Sequence, residues 1–307
     1  MKKLLLIDTF NFLHRAYHAL PKTFKDINGE PTNAVYGVTA MLINILDTLK
    51  PNYAVAALDG EKPTFRVEDF TAYKAHRKPM DPDLASQIPK VFEILDAFGI
   101  KKMLVEGYEA DDVIGTAAIK FANATTQVLI VSNDHDLWQL ITKNVFVMSP
   151  NTKGQVDWIG EKEVVSRMGF NPKQMVDYKS LRGDLSDNIP GVFGIGEKTA
   201  QTLIATYGTL ENIYRSIEKI TPNSLREKLL NNSEQAYMSQ KLATIITDVP
   251  MHLELQGCKY SDFNKGRVVE LLKKYNFKSL TKRLGFDVDS GKSKKEASVN
   301  ENQLGLF

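Results

Sequence analysis

The chain has 307 residues and a formal net charge of +2, and 43% of its residues are apolar while 25% are charged. This composition is typical of a globular protein with a buried core, and no stretch approaches the ~20 apolar residues of a membrane span. The single cysteine, Cys258, excludes an intrachain disulfide framework and a thiolate zinc site, and it favours a reducing cytoplasm.

The first half of the chain alternates short apolar runs with amphipathic segments. The apolar runs predict five strands, at residues 2–7, 53–58, 101–106, 127–132 and 144–149. Helical periodicity marks the segments at residues 34–50, 83–99 and 111–122. This alternation predicts an α/β fold in which a mainly parallel sheet is covered by helices.

Beyond about residue 160 the strand signals fade and helical signals dominate. The predicted helices are one at 194–208, several short ones within 209–247 and a pair within 263–284. We therefore divide the chain into an α/β core at 1–172 and a helical region at 173–286. Residues 287–302 are almost devoid of apolar side chains, which predicts a disordered linker before the apolar residues 303–307.

Acidic residues follow the predicted strands, and more stand in the later segment GDLSDN. Strand ends of a parallel sheet share one edge, where such sheets bind ligands. Hard oxygen ligands in this number favour Mg²⁺ or Mn²⁺ over zinc, and two such ions ~4 Å apart can promote phosphodiester hydrolysis. Any one carboxylate alone would equally suit a helix N-cap or a solvated loop. The candidate metal ligands are Asp8, Asp59, Glu109, Asp111, Asp112, Asp134, Asp136, Asp184 and Asp187.

A basic and aromatic segment lies between the second and third predicted strands. Arg66, Lys74 and Arg77 offer cations for a phosphate, and Tyr73 offers a ring on which a base can stack. An exposed helix with solvated charges would have a similar composition. Arg15, one or two helical turns beyond the first acidic residue, is a further candidate for phosphate binding.

A glycine-rich turn at residues 188–200, NIPGVFGIGEKTA, precedes a predicted helix. Glycines let the backbone approach a phosphate, and the helix N-terminus favours an anion. The pattern is that of a helix-hairpin-helix, which grips the backbone of duplex DNA without reading bases. A nucleotide P-loop is disfavoured, because Glu197 interrupts its glycine–lysine step and no strand precedes it. The candidate DNA-binding residues here are Gly191, Gly194, Gly196, Lys198 and Thr199.

Taken together, these stretches resemble the bacterial and phage 5′-to-3′ exonuclease and flap endonuclease family, which includes the amino-terminal nuclease domain of DNA polymerase I. The motifs that carry the resemblance occur in the family's order within residues 2–285. They are LLLIDTFNFLHRAYHAL, ALDGEKPTFRVEDFTAYKAHR, VEGYEADDVIGTAA, VSNDHDLWQL and LRGDLSDNIPGVFGIGEKTA. The resemblance implies a PIN-like nuclease fold with a helical arch around residues 62–90 and a helix-hairpin-helix.

The resemblance also implies two neighbouring metal positions and their residues. One position is built around Asp8, Asp59, Glu109 and Asp111 with Asp112 close by, and the other around Asp134, Asp136, Asp184 and Asp187. The matching catalytic cations of the arch are Lys74 and Arg77. Which carboxylates touch a metal directly stays open at this point. A K⁺ ion on backbone carbonyls of the helix-hairpin-helix is a further expectation.

The activity implied by the resemblance is Mg²⁺-dependent cleavage of branched or nicked duplex DNA that carries a 5′ single strand. A role in replication and repair follows, such as removal of flaps or RNA primers, and we expect a cytoplasmic monomer. Two alternatives stay open. A non-catalytic DNA-binding relative would be expected to lack some of the acids, yet none is missing. A PIN-like ribonuclease would share the sheet, whereas the arch and the helix-hairpin-helix favour DNA.

The last residues resemble the short peptide by which bacterial proteins dock on the DNA sliding clamp. Its members here are Gln303, Leu304, Leu306 and Phe307. A glutamine anchor and three apolar side chains suit an apolar pocket, and a flexible linker supplies reach. A chance apolar end is the alternative, because short motifs often arise by accident. With no polymerase sequence following, we expect a standalone nuclease rather than an excised domain.

Overall fold

A computed structural model of the chain describes residues 1–150, 156–260 and 263–286. The predicted linker at 287–302 and the predicted clamp peptide at 303–307 lie outside these residues. The strands, numbered in chain order, are β1 Lys2–Asp8, β2 Tyr53–Ala57, β3 Lys101–Met103, β4 Thr126–Val131, β5 Val145–Pro150 and β6 Val156–Ile159.

The α-helices of the described residues number fourteen. In the first half of the chain they are α1 Thr9–Ala19, α2 Asn33–Leu49, α3 Phe65–Asp69, α4 Pro82–Ala85, α5 Ile88–Ala97 and α6 Ala110–Phe121. In the second half they are α7 Glu161–Met168, α8 Met175–Arg182, α9 Glu197–Tyr207, α10 Leu210–Arg215, α11 Asn223–Asn231, α12 Ser233–Ala243, α13 Lys265–Lys274 and α14 Lys278–Arg283. None of them is both long and apolar enough to cross a membrane.

The strands form one sheet in the order β3-β2-β1-β4-β5-β6. All neighbouring pairs are parallel except β5 and β6, which are antiparallel. The prediction of a mainly parallel α/β sheet is therefore confirmed. The sequence did not reveal β6, a strand of four residues at the edge of the sheet.

The central strand β1 is buried on both faces, as a parallel sheet covered by helices requires. Successive side chains of a strand point to opposite faces. Leu4 and Leu6 accordingly pack in the core formed with α6, whereas Leu5 and Ile7 pack in the core formed with α1 and α2. The helices α8 to α12 extend the first core, and α13 and α14 join the second. The polar carboxyl end of β1 is thus held between two rigid layers.

The predicted helix at 83–99 is in fact two helices, α4 and α5. Pro89 lies in the first turn of α5, where its missing N–H is tolerated. Between the helices, the buried side chain of Gln87 accepts a hydrogen bond from the amide of Ala34 at 2.8 Å. Gln87 therefore satisfies an open donor at the start of α2, and a continuous helix would not place it there. The predicted arch segment holds the short helices α3 and α4 with a turn region between them.

Candidate active site

A cleft of about 750 Å³ opens at the carboxyl edge of the sheet. Its acidic lining comes from the ends of β1, β2 and β4 and from the start of α6, and its cationic lining from the turn between α3 and α4. This arrangement follows from parallel strands, whose carboxyl ends meet at one edge. The charged residues that line it are Asp8, Asp59, Glu61, Lys74, Arg77, Glu109, Asp111 and Asp134.

Asp8 is the last residue of β1 and the N-cap of α1. One of its carboxylate oxygens accepts a hydrogen bond from the amide of Asn11 at 3.2 Å. The other accepts one from the hydroxyl of Ser132, just past β4, at 2.7 Å. These bonds fix the carboxylate across two adjacent strand ends, so the N-cap role and the cleft role coexist.

The start of α6 brings the next acidic residues into the cleft. The amide of Ala110 donates a hydrogen bond to a carboxylate oxygen of Asp59 at 2.8 Å, which joins α6 to the end of β2. Asp111, in the first turn of α6, lines the same cleft. Among salt bridges between described residues, none includes Asp8, Asp59 or Asp111. These three carboxylates form an acidic group without a salt bridge to any described cation.

The electrostatics of this group are unfavourable for three negative charges. Burial and the charge of Asp59 raise the pKa of Asp8 to about 7. Burial and the charges of Asp134 and Asp8 raise the pKa of Asp111 well above its usual range. Burial also raises the pKa of Asp134. A dication placed among these oxygens would offset the repulsion between the buried negative charges. Hard carboxylate oxygens of this kind suit Mg²⁺ or Mn²⁺.

The raised pKa of Asp8 has a measurable consequence for stability. In the folded chain the carboxyl titrates at about 7, and in the unfolded chain near its ordinary 3.8. The stabilisation from its bound proton is therefore lost as the pH rises through about 7. We expect the free energy of unfolding in a chelator to be about 1 kcal/mol lower at pH 8 than at pH 6, measured by urea denaturation. In Asp8→Asn this difference should shrink, and a wild type more stable at pH 8 would contradict the prediction.

Asp112 was predicted to bind metal, and in the structure it is paired with an arginine beneath the helix instead of lining the cleft. Its carboxylate is fully buried and forms a two-point salt bridge with Arg66, at 2.8 and 2.7 Å. The amides of Glu109 and Ile246 donate to the same carboxylate at 3.1 and 2.9 Å. With each oxygen accepting two hydrogen bonds, Asp112 is a structural residue that anchors the start of α6.

Arg66 and Tyr73 were predicted to contact DNA, and in the structure without DNA both side chains are buried. Arg66 is 2% exposed, and besides Asp112 it donates to the carbonyl oxygens of Leu242 and Thr244. Tyr73 is 4% exposed, and its hydroxyl donates to Glu109 at 3.1 Å. Both residues tie the segment between β2 and β3 to the rest of the molecule.

The second predicted metal group is arranged differently from the first. Lys179 of α8 places its ammonium between the carboxylates of Asp136 and Asp184, with 2.6 Å to Asp184. The amide and hydroxyl of Ser186 donate to the other oxygen of Asp184 at 2.8 and 2.6 Å. Burial opposes ionisation of Asp184, but Lys179 and Ser186 outweigh it and lower its pKa to about 2. Both carboxylates are thus already neutralised by the protein.

Asp187 also has cationic partners. Arg77 donates to one of its oxygens at 2.5 Å, and the ammonium of Lys74 lies 3.6 Å from the other. Lys74 also pairs with Glu109 at 2.9 Å. The left-handed backbone of Lys74, with φ of 54°, lets its amide donate to the carbonyl oxygen of Asp187 at 2.9 Å. The two predicted catalytic cations therefore lie over the acidic cleft.

Within the described ranges, no three acidic, histidine or cysteine side chains already converge as ligands of one ion. Carboxylates repel one another when no metal ion lies between them. Accordingly, Asp136, Asp184 and Asp187 each contact a lysine or an arginine. The donor set of Asp8, Asp59, Asp111 and Asp134 nonetheless fits a dication, since these oxygens share one cleft and three of the four have raised pKa values.

The glycine-rich turn packs against the start of the loop that carries Asp184 and Asp187. Gly183 and Gly191 both have positive φ, and a Cβ on Gly191 would lie 2.2 Å from the amide nitrogen of Gly183. Gly191 was predicted to bind the DNA backbone, and in the structure its buried amide donates to the hydroxyl of Ser239 at 3.0 Å. Because Gly191 has no side chain, its backbone can lie close against the backbone of Gly183.

The other predicted DNA-binding residues of the turn are accessible. Gly194, Gly196 and Lys198 are exposed, and Thr199 is half-buried at the start of α9. The ammonium of Lys228 from α11 donates to the carbonyl oxygen of Gly194 at 3.2 Å. This brings an extra positive charge to the surface where a DNA backbone is predicted to bind.

Some residues of the site escaped the sequence analysis. Lys179 lies in α8, whose sequence MVDYKSLR mixes polar and apolar residues, so nothing local distinguishes it from an ordinary surface lysine. Ser132 follows β4 and gave no signal, although it holds Asp8. His14 of α1 lines the cleft, whereas the predicted Arg15 is half-buried and does not line it.

Two family models match the chain. The first describes the 5′-3′ exonuclease N-terminal resolvase-like domain and matches residues 3–169. The second describes the 5′-3′ exonuclease C-terminal SAM fold and matches residues 170–266.

Curated relatives include DNA polymerase I of Caldicellulosiruptor bescii, which is 43% identical over 92% of this chain and 33% of the relative. DNA polymerase I of Bacillus subtilis is 38% identical over 98% of this chain and 34% of the relative. The chain thus spans about a third of the length of these relatives.

Among solved structures, the bacteriophage T5 flap endonuclease, in a pseudo-enzyme–product complex with DNA and metal ions, superposes with a TM-score of 0.67. The superposition covers 80% of this chain and 90% of the T5 chain at 21% identity. At that identity the likeness establishes a shared fold.

Proposed function

The chain belongs to the 5′-3′ exonuclease family, and from this membership we propose that it is a structure-selective 5′ nuclease that hydrolyses DNA phosphodiesters. The observation that carries the proposal is one cleft that joins Asp8, Asp111 and Asp134 with Lys74 and Arg77. Paired acidic and cationic walls of this kind suit metal-assisted phosphoryl chemistry. The T5 flap endonuclease complex, which holds DNA and metal ions, supports this reading.

The cofactor proposed for the cleft is a pair of Mg²⁺ or Mn²⁺ ions. When bound, such ions supply an activated water and offset the negative charge that builds up on the phosphate. Asp8, Asp59 and Asp111 would hold one ion, because they line the cleft together and no salt bridge between described residues includes them. Asp136, Asp184 and Asp187 would contribute to the other, and Asp134 lies within the electrostatic reach of both groups. Glu109 also lines the cleft, where it pairs with Lys74, and it would join the first ion once Lys74 turns to the phosphate.

The task of Lys74 and Arg77 is to bind the phosphate that is cut. Both carry donors at the mouth of the cleft, and both now pair with carboxylates that line or border it. A phosphate entering the cleft can take over these donors, since ammonium and guanidinium groups bind phosphate oxygens strongly. The two side chains thereby orient the phosphate and stabilise charge in the transition state.

The substrate class follows from the surfaces beside the cleft. The turn at 188–200 with Lys198, Thr199 and Lys228 suits the backbone of a duplex, because backbone amides and lysines bind phosphates without reading bases. The segment at 62–90 contributes to the lining of the cleft, and we propose that it receives the 5′ single strand. We therefore propose branched or nicked duplex DNA with a 5′ strand as substrate, as in flap or RNA-primer removal.

The experiment that tests this function is cleavage of a 5′-flap DNA duplex with Mg²⁺. We expect wild type to cut near the junction, and Lys74→Ala to cut on the order of a hundredfold more slowly because a phosphate-binding cation is lost. Lys90→Ala is the matched control, since Lys90 also pairs with a buried aspartate, Asp26, but does not line the cleft. Flap binding without any cutting by wild type would favour the non-catalytic alternative.

The same assay with an all-RNA flap duplex separates the proposed DNA nuclease from a PIN-like ribonuclease. We expect DNA to be cut faster, because the helix-hairpin-helix surface is suited to a B-form duplex backbone.

The proposal has further parts: a domain division at 172, a monomeric state and a cytoplasmic location. The buried free thiol of Cys258 agrees with a reducing cytoplasm. A K⁺ ion at the turn is likewise proposed, beside the charge that Lys228 already provides.

A bacterial sliding clamp is the partner that we propose for the last residues of the chain. These are Gln303, Leu304, Leu306 and Phe307, which lie outside the described residues. The proposal depends on the sequence alone, where apolar residues follow a polar stretch. We expect a peptide of residues 298–307 to bind a bacterial clamp with micromolar affinity, measured by calorimetry. Replacing Leu306 and Phe307 with alanine should abolish the heat of binding, and equal binding by both peptides would count against the motif.

A further inference from the structure

Lys179 occupies an unusual place for a lysine. Its side chain emerges from α8 and is only 6% exposed. The ammonium contacts carboxylate oxygens of Asp136 and Asp184, so two acidic residues from separate segments share one cation. Burying a lysine is costly unless it is paired, and here the pairing is to residues of a proposed metal group.

The two acidic groups differ in how their charge is balanced. Asp136 and Asp184 share Lys179, and Asp187 pairs with Arg77. In the first group, no salt bridge between described residues includes Asp8 or Asp111. The first group therefore needs an external cation, whereas the second has cations supplied by the chain itself.

We propose that Lys179 is a built-in counter-ion that competes with the second divalent ion for Asp136 and Asp184. The inference rests on the proposed function, since it concerns the same cleft. An ion entering the second group must displace the ammonium from both carboxylates. Without DNA the first group therefore fills at low ion concentration, and the second fills only at much higher concentration. Lys179 is in this sense a positioning residue, because it keeps the second group assembled until an ion replaces it.

A merely structural lysine would behave differently from a competing one. If Lys179 only stabilised the fold, removing it would destabilise the protein and leave ion binding unchanged or weaker. If it competes, removing it leaves Asp136 and Asp184 as two unpaired carboxylates, which attract a dication strongly. The variant should then be less stable than wild type without metal and regain stability when the ion is added.

The test counts Mn²⁺ ions bound to the full chain without DNA, by electron paramagnetic resonance of free Mn²⁺ and by calorimetry. We expect wild type to bind one ion well and a second weakly. Lys179→Met should bind the second ion about tenfold more tightly or better, because a competing unit charge is gone. Lys179→Arg keeps the charge and should resemble wild type. Lys90→Met, which breaks the ion pair with Asp26 away from the cleft, should leave both affinities unchanged.

Thermal unfolding of the same variants gives a second readout. The rise in Tm on adding Mn²⁺ should be larger for Lys179→Met than for wild type or Lys90→Met. An unchanged or weaker second affinity in Lys179→Met would overturn the competition. If wild type nevertheless binds Mn²⁺ and cuts flap DNA, only this inference fails. If neither wild type nor Lys179→Met binds Mn²⁺ and no flap is cut, the proposed function fails with it.

Discussion

Replacing Asp134 with asparagine should slow the cleavage of 5′-flap DNA by about three orders of magnitude or more. Asp134 follows β4 and lines the cleft. Its charge acts on Asp111 in the first group, and it is itself affected by the charges of Lys179 and Asp187 in the second. A residue between the two groups influences both proposed ions, so its loss should cost more than the loss of a residue that serves one.

The measurement is single-turnover cleavage with saturating enzyme, which reports the chemical step rather than binding. Flap affinity, measured in Ca²⁺ by fluorescence anisotropy, should change little in Asp134→Asn, because the lysines and the glycine-rich turn are untouched. The control is Asp96→Asn, an exposed aspartate that pairs with Lys102 outside the cleft. A reduction below about tenfold in Asp134→Asn would show that the carboxylate is not required by either ion.

The sequence was sufficient to predict that the acids would meet at one edge of the sheet. Parallel strands allow only one place for residues that follow their carboxyl ends, so Asp8, Asp59 and Asp134 had to be neighbours. The order of strands and the edge strand β6 could not be predicted in the same way. β6 has four residues, too few for a periodic signal to stand out.

The sequence could not separate the roles of adjacent acids. Asp111 and Asp112 are chemically identical neighbours, but successive residues of a helix point about 100° apart. One consequently faces the cleft, and the other faces Arg66 beneath the helix. The partner of Asp112 lies 46 positions away in the chain, so no local pattern could reveal the pair.

The same limit explains why the burial of Arg66 was not predicted and why Lys179 was missed. A cation in a basic segment is more often solvated than buried, yet Arg66 is enclosed by Asp112 and two carbonyl oxygens. The role of Lys179 becomes visible only in the folded chain, where Asp136 and Asp184 meet at its ammonium. Burial of a charge depends on tertiary contacts, and these follow from packing rather than from spacing along the chain.

Asp112→Asn should destabilise the protein by about 3–5 kcal/mol, the range for breaking a buried ion pair by removing one partner. Arg66 would keep its charge in a buried position, with only two carbonyl oxygens and the more distant Glu109 to balance it. The amides of Glu109 and Ile246 would each lose a charged acceptor. The loss should appear as a lower urea midpoint at unchanged m-value.

Asp111→Asn is the matched control, because it makes the same chemical change one residue earlier. The pKa of Asp111 is raised, so its charge opposes folding, and the variant should be as stable as wild type or more stable without metal. It should also bind Mn²⁺ less well, whereas Asp112→Asn that remains folded should bind normally. The double variant Arg66→Met with Asp112→Leu should be less destabilised than Asp112→Asn, since no buried charge is left unpaired. Wild-type stability with lost Mn²⁺ binding in Asp112→Asn would instead restore Asp112 as a metal ligand and assign the anchoring of α6 to other contacts.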